Sequence, residues 1–336
     1  MSLEPHRWAV VSTIKAPTKD ILNFAAHYLS IGATHLYLFL DFPDPEAQGH
    51  LEKHPNIHIT NTEPDYWQVR GRRPQTVERR QIENIKTAIE FARRDDVAWL
   101  GHFDNDEFLH GPSRATVGMR LALLDDDVMC ARALPVEYLV PDDPDYTGPD
   151  QFKRLATPFA RRRQISMRAD PEFGAKVSGG FLSHQVGKSF FRIVPELMAP
   201  RIHFCDYPTH NDAKIKTLAH LNLAHYHTSA WDKFYQKYQE RRASGSYRKV
   251  ISGGKTYETE RKSLHDILEE LEQSEGVAGL KRLHHELCVP HPIWLLGWIN
   301  MTFIVCITLT WTPNGHSIFH SFQFDTGQMP HALTWE

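Results

Sequence analysis

Two aspartates one residue apart, Asp104 and Asp106, directly follow an apolar run from Val97 to Phe103. Such a run is typical of a buried parallel strand. In a turn at the end of that strand, both carboxylates can face one pocket and share a divalent cation. Carboxylate oxygens suit Mg²⁺ or Mn²⁺, and these ions often complete their coordination with substrate phosphates. A capped turn without metal is the alternative, because Asp and Asn are common turn residues.

The elements that must position this turn precede it in the chain. Residues 8–14 and 35–40 are apolar enough for two strands, and Ile57 to Ile59 predicts a short third. Apolar residues recur at helical spacing over residues 18–29 and again from about Thr76 to Arg94. Strands that alternate with helices predict an α/β fold with a mostly parallel sheet. Ligands bind such sheets at the carboxyl ends of the strands, where the two aspartates stand.

Composition narrows the class of protein. The 336 residues are 41% hydrophobic and 24% charged, which is typical of a soluble globular protein with one large domain or two small ones. The formal charge is −3 with both signs mixed along the chain, so a nucleic-acid partner is not expected. The four cysteines form no C-x-x-C pair, and the first residues lack a signal-peptide apolar region. Both features favour a cytoplasmic location.

Three segments carry a family resemblance. Trp99 to Leu109, an apolar strand followed by Asp-x-Asp-Glu-Phe-Leu, resembles the D-x-D segment of family 2-like and family 92-like glycosyltransferases. Gly187 to Pro195 resembles their Lys-Ser-x-x-Arg-Pro segment, and Leu221 to Phe234 resembles their His-Tyr-x-x-Ser segment. The resemblance implies a GT-A fold, with a mostly parallel nucleotide-binding sheet flanked by helices. It implies a glycosyltransferase domain over residues 6–245 and a helical and β-stranded extension over residues 246–336.

The same resemblance implies a metal-dependent glycosyltransferase, inverting in outcome. It would move a sugar from a nucleotide-sugar donor, a UDP-sugar above all, to a hydroxyl of a glycan or other acceptor in polysaccharide or glycan synthesis. Asp104 and Asp106 would hold Mn²⁺ or Mg²⁺ together with a histidine late in the domain. By position that histidine is His225, with His203 and His227 as competing assignments. A neutral imidazole is a competent ligand for Mn²⁺.

Further donor contacts are expected at strand ends and on the helix before the D-x-D strand. Asp41 ends the second strand and would accept from a uracil or ribose group, although it is equally well placed as a turn residue before Pro43. Arg79 or Arg80 could meet the diphosphate through a bidentate contact. The complete set of donor-binding candidates is Lys15, Asp41, Arg80, Gln81, Asn84, Asp104 and Lys188.

Glu137 is the candidate general base. It lies on a predicted strand over residues 131–139 that would line the acceptor side of a GT-A site. Inverting transfer needs a carboxylate to take the proton of the attacking hydroxyl. A solvated strand glutamate is the alternative interpretation of this residue.

Two other functions fit part of the pattern. A nucleotidyltransferase also clamps metal and phosphates, but it would be expected to carry a Gly-rich loop after the first strand, where this chain has Lys15-Ala16-Pro17-Thr18. A carbohydrate-binding protein of the same fold without turnover would need aromatic platforms but no base.

The C-terminal part of the chain carries two further predictions. Leu264 to Leu271 has the spacing of an amphipathic helix. Ile293 to Trp311 carries no charge and is long enough to cross a bilayer, yet the same region fits a β-hairpin with an Asn314-Gly315 turn. A tail that packs on the protein or touches a membrane is favoured over a true span. The expected location is therefore the cytoplasm, with peripheral contact at the inner face of a membrane.

Overall fold

The computed structural model describes residues 4–111, 116–155, 159–210, 212–227, 230–244, 262–290 and 304–307. These residues form two compact units. The first is drawn from residues 1–135, 183–226 and 244–248, and the second from residues 136–182, 227–243 and 249–336. The domain boundary expected between residues 245 and 246 lies outside the described residues.

Strands and helices alternate through the first part of the chain, as its apolar pattern predicts. In chain order the strands of the described residues are β1 (Trp8–Ile14), β2 (His35–Leu40), β3 (Ile57–Asn61), β4 (Trp99–His102), β5 (Glu107–His110), β6 (Val128–Leu139), β7 (Asp150–Arg154), β8 (Lys188–Arg192), β9 (Ala199–Pro200), β10 (Cys205–Asp206), β11 (Lys214–His225) and β12 (Ile304–Ile307). The α-helices are α1 (Thr18–Ser30), α2 (Pro45–Leu51), α3 (Pro64–Gln68), α4 (Val77–Arg94), α5 (Val117–Ala122), α6 (Arg162–Ala169), α7 (Trp231–Ser244) and α8 (Leu264–Cys288).

The sheet of the first unit is parallel in one half and antiparallel in the other. Strands β3, β2, β1 and β4 lie side by side in that order, and all neighbours among them run parallel. Beyond β4, strand β8 and then the first part of β6 pair antiparallel. The order β3-β2-β1-β4, with helices in the connections, is compatible with a nucleotide-binding, Rossmann-like fold. The predicted α/β class with a parallel sheet flanked by helices is confirmed at this level.

Strands β1, β2 and β4 are buried on both faces, which explains why they are largely apolar runs in the sequence. Alternate residues of a strand point to opposite faces, so Val10 packs in one core with Phe24 of α1. Val11 packs in the other core with Ile85 and Ile89 of α4. Helix α4 begins after Thr76, whose hydroxyl accepts from the backbone N–H of Arg79, an N-cap bond that helps to set where the helix starts.

The second unit combines a small antiparallel sheet with helices. The last part of β6 pairs with β7, and β7 pairs with β12. Helices α7 and α8 pack through an apolar core that includes Phe234, Leu268 and Leu280. Helix α8 confirms the amphipathic helix predicted from Leu264, and its N-terminus is closed by a reciprocal capping box between Ser263 and Asp266.

Most of the predicted apolar tail lies outside the described residues. Of Ile293 to Trp311, only Ile304–Ile307 is described, as the strand β12, and the Asn314-Gly315 turn is not. Among the helices that the structure describes, none combines the length and the apolar character needed to cross a membrane.

The second unit should lose stability in mild acid through His284. Burial, followed by the charges of Lys153 and His285, lowers the pKa of His284 to about 4, and its ring packs against Trp231 and Phe234. The unfolded histidine takes up a proton near pH 6.5 and the folded one does not, so the stabilisation is complete above pH 6.5 and is lost as the pH falls toward 4. The loss should not exceed about 3 kcal/mol. Urea unfolding at pH 7 and pH 5 should show a smaller pH effect in His284→Phe, and an unchanged effect would contradict this assignment.

Candidate active site

The order of the parallel strands singles out one position in the first unit. Going along the chain, the sheet grows outward from β1 to β2 and β3, and then reverses to place β4 on the other side of β1. Ligands of open α/β sheets bind at such a reversal, outside the carboxyl ends of the two strands. Strand β1 is followed there by Lys15, and β4 is followed by the turn that contains Asp104 and Asp106.

Two antiparallel pairings bring distant parts of the chain to this turn. Strand β5 continues from the turn and pairs with β11, with His225 directly opposite Glu107. Strand β8 pairs with β4 and begins at Lys188. Gly187, just before it, has a φ of +80°, and a Cβ there would lie 2.1 Å from the carbonyl oxygen of Ala133. Only glycine fits this bend without strain, and the bend helps to place Lys188 beneath the acidic turn.

Glu107, which has no exposed surface, is the centre of the resulting charge network. Its Oε2 accepts from the backbone N–H of Asp104 at 2.8 Å and lies 3.2 Å from Nζ of Lys188. Lys188 is equally buried and donates to Oδ2 of Asp104 at 2.6 Å. The other oxygen of Asp104 accepts from Nε2 of Gln81 at 2.6 Å. We name Asp104, Glu107 and Lys188 the carboxylate–lysine triad; Glu107 and Lys188 are fully buried, and the Asp104 side chain is 33% exposed.

Glu107 and Lys188 are both ionised at neutral pH. Burial alone raises the pKa of Glu107, but Lys188, His184 and His225 more than offset it and leave that pKa well below its usual value. Burial lowers the pKa of Lys188, yet Asp104 and Glu107 reverse this and raise it. The Glu107 carboxylate and the Lys188 ammonium therefore stabilise each other as charges.

Three histidines surround the triad, and two of their tautomers follow from the backbone. Nδ1 of His184 accepts from the N–H of Gly187 at 3.3 Å, so Nε2 of His184 carries the proton that it donates to Glu107 at 2.6 Å. Nδ1 of His203 donates to the carbonyl of Gly187 at 2.8 Å. Burial and the charges of His184 and Lys188 lower the pKa of His203 to about 4, so this ring is neutral at pH 7.

The third histidine, His225, lies close to Asp106. Its Nε2 lies 3.6 Å from Oδ1 of Asp106, and its Nδ1 lies 4.0 Å from Oε1 of Glu107. Adjacent ligands of one six-coordinate ion are about 3 Å apart, so a small adjustment lets Asp106 and His225 share a cation. The Asp106 side chain is 32% exposed, which leaves the remaining coordination positions open to solvent or substrate.

The structure thus separates the roles of the two aspartates that the sequence grouped together. Asp106 and His225 are brought together as expected. Asp104 belongs to no group of three metal-type side chains among the described residues, because Gln81 and Lys188 hold its oxygens. Glu107, His184 and His225 do form such a group, with ligand atoms within 4.8 Å of one another. The assignment of Asp104 as a ligand stays a prediction.

The donor-binding candidates divide into two sets. Asp41 is buried, and its oxygens accept from Arg73 at 2.9 Å and from Arg80 at 3.0 Å. Arg80 is therefore directed at a carboxylate and not at an open surface. Asn84 is fully buried, donates to Thr13 at 2.8 Å and accepts from Tyr66 at 2.7 Å. These side chains support the strand ends.

Of the remaining candidates, Gln81 and Lys188 contact the acidic turn. Gln81 reaches Asp104, and the Lys15 ammonium lies 5.3 Å from the centre of the Phe42 ring. Lys188, expected as a donor contact, is instead enclosed beneath Asp104 with no exposed surface. A contact of any of these residues with a donor stays a prediction.

Glu137, the expected base, lies in the second unit. It has no exposed surface, lies 2.9 Å from Nζ of Lys153 and accepts from the N–H of Leu182 at 3.2 Å. Lys153 also donates to the carbonyls of Gly180 and Leu287. This environment is that of a structural ion pair, and it does not favour a base that must meet an acceptor hydroxyl.

Glu137→Gln distinguishes these two roles. The amide keeps the shape of the side chain but removes the negative charge 2.9 Å from the buried Lys153 ammonium. We expect the free energy of unfolding to fall by about 3 kcal/mol. Glu172→Gln is the control, since its pair with Arg282 is exposed to solvent and should contribute little to stability. If the Glu137→Gln protein is as stable as the wild type but unable to transfer a sugar, Glu137 is the general base after all.

Sequence reasoning missed two residues of the site. Glu107 directly follows Asp106 in the Asp-x-Asp-Glu motif, and this position next to the two aspartates is visible in the sequence. His184 lies in no motif, and only the bend before β8 brings it to Glu107.

Comparisons with known proteins assign no family. No family model matches the chain, and no curated protein is found to match it. One similar solved structure is described as the crystal structure of a mycobacterial protein, at 10% identity and a TM-score of 0.32, over 95% of this chain and 84% of that one. Another is CMP:2-keto-3-deoxy-manno-octonic acid synthetase complexed with CTP, at 11% identity and a TM-score of 0.30, over 71% of this chain and 99% of that one. Likeness at these TM-scores assigns neither a fold family nor a function.

Proposed function

We propose that this protein is a metal-dependent glycosyltransferase of GT-A type that transfers a sugar from a UDP-sugar to a hydroxyl of a glycan or related acceptor. The observation that carries the proposal is the Asp106–His225 pair, with 3.6 Å between Oδ1 and Nε2, at the carboxyl edge of the parallel strands. Three segments with the family resemblance, around Asp106, Lys188 and His225, converge there in three dimensions. Their convergence supports the proposal because the segments are far apart in the chain.

Asp106 and His225 would hold the cation, and one imidazole among oxygen ligands favours Mn²⁺ over Mg²⁺. The bound ion supplies positive charge that stabilises the departing nucleoside diphosphate. The carboxylate–lysine triad holds the turn in one conformation, because Lys188 joins Asp104 to Glu107 from below. A turn held in advance needs no rearrangement when the diphosphate arrives, which is the advantage of a preorganised site.

A donor screen tests the proposed function. The purified chain is incubated with UDP-, GDP- and CMP-sugars, with Mn²⁺, with Mg²⁺ or with EDTA, and nucleoside diphosphate or monophosphate release is followed. We expect slow, Mn²⁺-dependent release of UDP that accelerates with a suitable glycan acceptor. A parallel arm supplies nucleoside triphosphates with sugars or sugar phosphates. Pyrophosphate release in that arm alone would replace the proposal by a nucleotidyltransferase, and glycan binding without any turnover would replace it by a carbohydrate-binding protein.

A further inference from the structure

A second group of metal-type side chains lies at the opposite end of the parallel strands. His35 is the first residue of β2, and His58 lies on β3 in register with Tyr37. Asp95 is the C-cap residue of α4 and directly follows its last residue. One ligand atom from each of His35, His58 and Asp95 lies within 4.8 Å of the others. We name these three residues the amino-edge cluster. All of them belong to the first unit, and none takes part in the site around Asp106.

The spacing within the cluster suits a tetrahedral ion. Nε2 of His58 lies 3.4 Å from Oδ2 of Asp95. Two ligands of a tetrahedral zinc site, with bonds of 2.0–2.1 Å, are about 3.4 Å apart. The rings of His35 and His58 are nearly parallel, at 11°, with centroids 6.2 Å apart. Because His35 and Tyr37 are two residues apart on β2, both point to the face where His58 and Asp95 stand.

Neighbouring groups already orient the ligands. Thr34 donates its hydroxyl proton to the carbonyl of Trp8 at 3.0 Å, so its oxygen is an acceptor for Nδ1 of His35 at 3.3 Å. This bond puts the proton on Nδ1 and leaves Nε2 of His35 with the lone pair that binds metal. The hydroxyl of Tyr37 donates to Oδ2 of Asp95 at 3.0 Å. Hydrogen bonds of this kind hold ligands in most metal sites of proteins.

We propose that His35, His58 and Asp95 bind a Zn²⁺-type transition-metal ion, with water as the fourth ligand. Two imidazoles and one carboxylate favour such an ion over Mg²⁺ or Ca²⁺, which prefer oxygen ligands. The ion would join the starts of β2 and β3 to the end of α4. Its role is structural, and it does not depend on the transferase function.

One side chain competes with the ion. Nε of Arg94 donates to Oδ1 of Asp95 at 3.0 Å, and Nη2 donates to Oδ2 at 3.3 Å. The Arg94 side chain is 58% exposed, so it can turn away from the carboxylate without disturbing the core. Removal of Arg94 should therefore strengthen metal binding. Loss of an ordinary exposed contact would not have this effect.

The test is Co²⁺ and Zn²⁺ titration of the full chain, with visible absorption of four-coordinate Co²⁺, the number of ions bound and the change in Tm as readouts. We expect His35→Gln and His58→Gln to lose one ion and the associated rise in Tm, with affinity at least about 100-fold weaker. His50→Gln, an exposed histidine on α2, is the matched control and should behave as the wild type. Arg94→Ala should bind about five-fold more tightly.

Two outcomes would overturn the proposal. If His35→Gln and His58→Gln keep the same ion count and Tm shift as His50→Gln, the cluster is ordinary packing at a sheet edge. If Arg94→Ala leaves the affinity unchanged or weaker, Asp95 is not a ligand. Arg94→Ala decides the question even where the histidine variants fail to fold, because Arg94 is exposed. Loss of the metal site at Asp106 leaves both readouts of the amino-edge cluster unchanged. Failure of the proposed function can therefore be distinguished from failure of this proposal.

Discussion

Lys188→Met should lower the free energy of unfolding by about 3–5 kcal/mol, a large part of the stability of an ordinary domain. The substitution leaves Glu107, which has no exposed surface, and Asp104 without the ammonium that lies 3.2 Å and 2.6 Å from their oxygens. Two carboxylates on one turn would then repel each other, and one of them, Glu107, is fully buried. Urea unfolding followed by circular dichroism measures the loss.

Lys214→Met is the matched control for this prediction. Lys214 also pairs with an aspartate, Asp127, but the lysine side chain is 65% exposed. Exposed pairs contribute between zero and about 1 kcal/mol, so the control should unfold near the wild-type midpoint. Equal, small effects of the two substitutions would show that Lys188 does not balance the charge of the carboxylate–lysine triad.

Asp106→Asn should abolish most metal-assisted nucleotide binding while the fold is retained. The amide keeps the size of the side chain but lacks the charge that a Mn²⁺ ligand needs, and the side chain is 32% exposed. We expect the affinity for UDP in the presence of Mn²⁺ to fall by at least about 10-fold. Titration calorimetry with and without Mn²⁺ measures it, and the wild type and the variant should bind UDP equally weakly in EDTA.

Two further variants sharpen the result. Asp125→Asn, with a side chain 78% exposed, should bind UDP and Mn²⁺ as the wild type does. Asp104→Asn should instead reduce stability, because Asp104 is bonded to Lys188 and Gln81. An Asp106→Asn protein with undiminished Mn²⁺-dependent affinity would remove the metal role from Asp106 and leave the group of Glu107, His184 and His225 as the better candidate.

The parallel half of the fold could be predicted from the sequence because its signals are local. Strands β1, β2 and β4 are buried on both faces and are therefore largely apolar runs, and α1 and α4 show helical spacing. The position of Asp104 and Asp106 after a strand followed from the same pattern. The antiparallel partners β8 and β11 could not be placed in this way, since pairing across about 90 to 120 residues leaves no periodic trace in the chain.

The sequence by itself determined the alternation of strands and helices, the acidic turn at a strand end and the candidate status of His225. Only the tertiary structure decided how these side chains are used. It joined Asp106 to His225, enclosed Lys188 beneath Asp104, and set Glu137 against Lys153. The physical reason is that secondary structure follows from the short-range periodicity of apolar residues. The charge and use of a carboxylate depend instead on burial and on partners that arrive from distant segments.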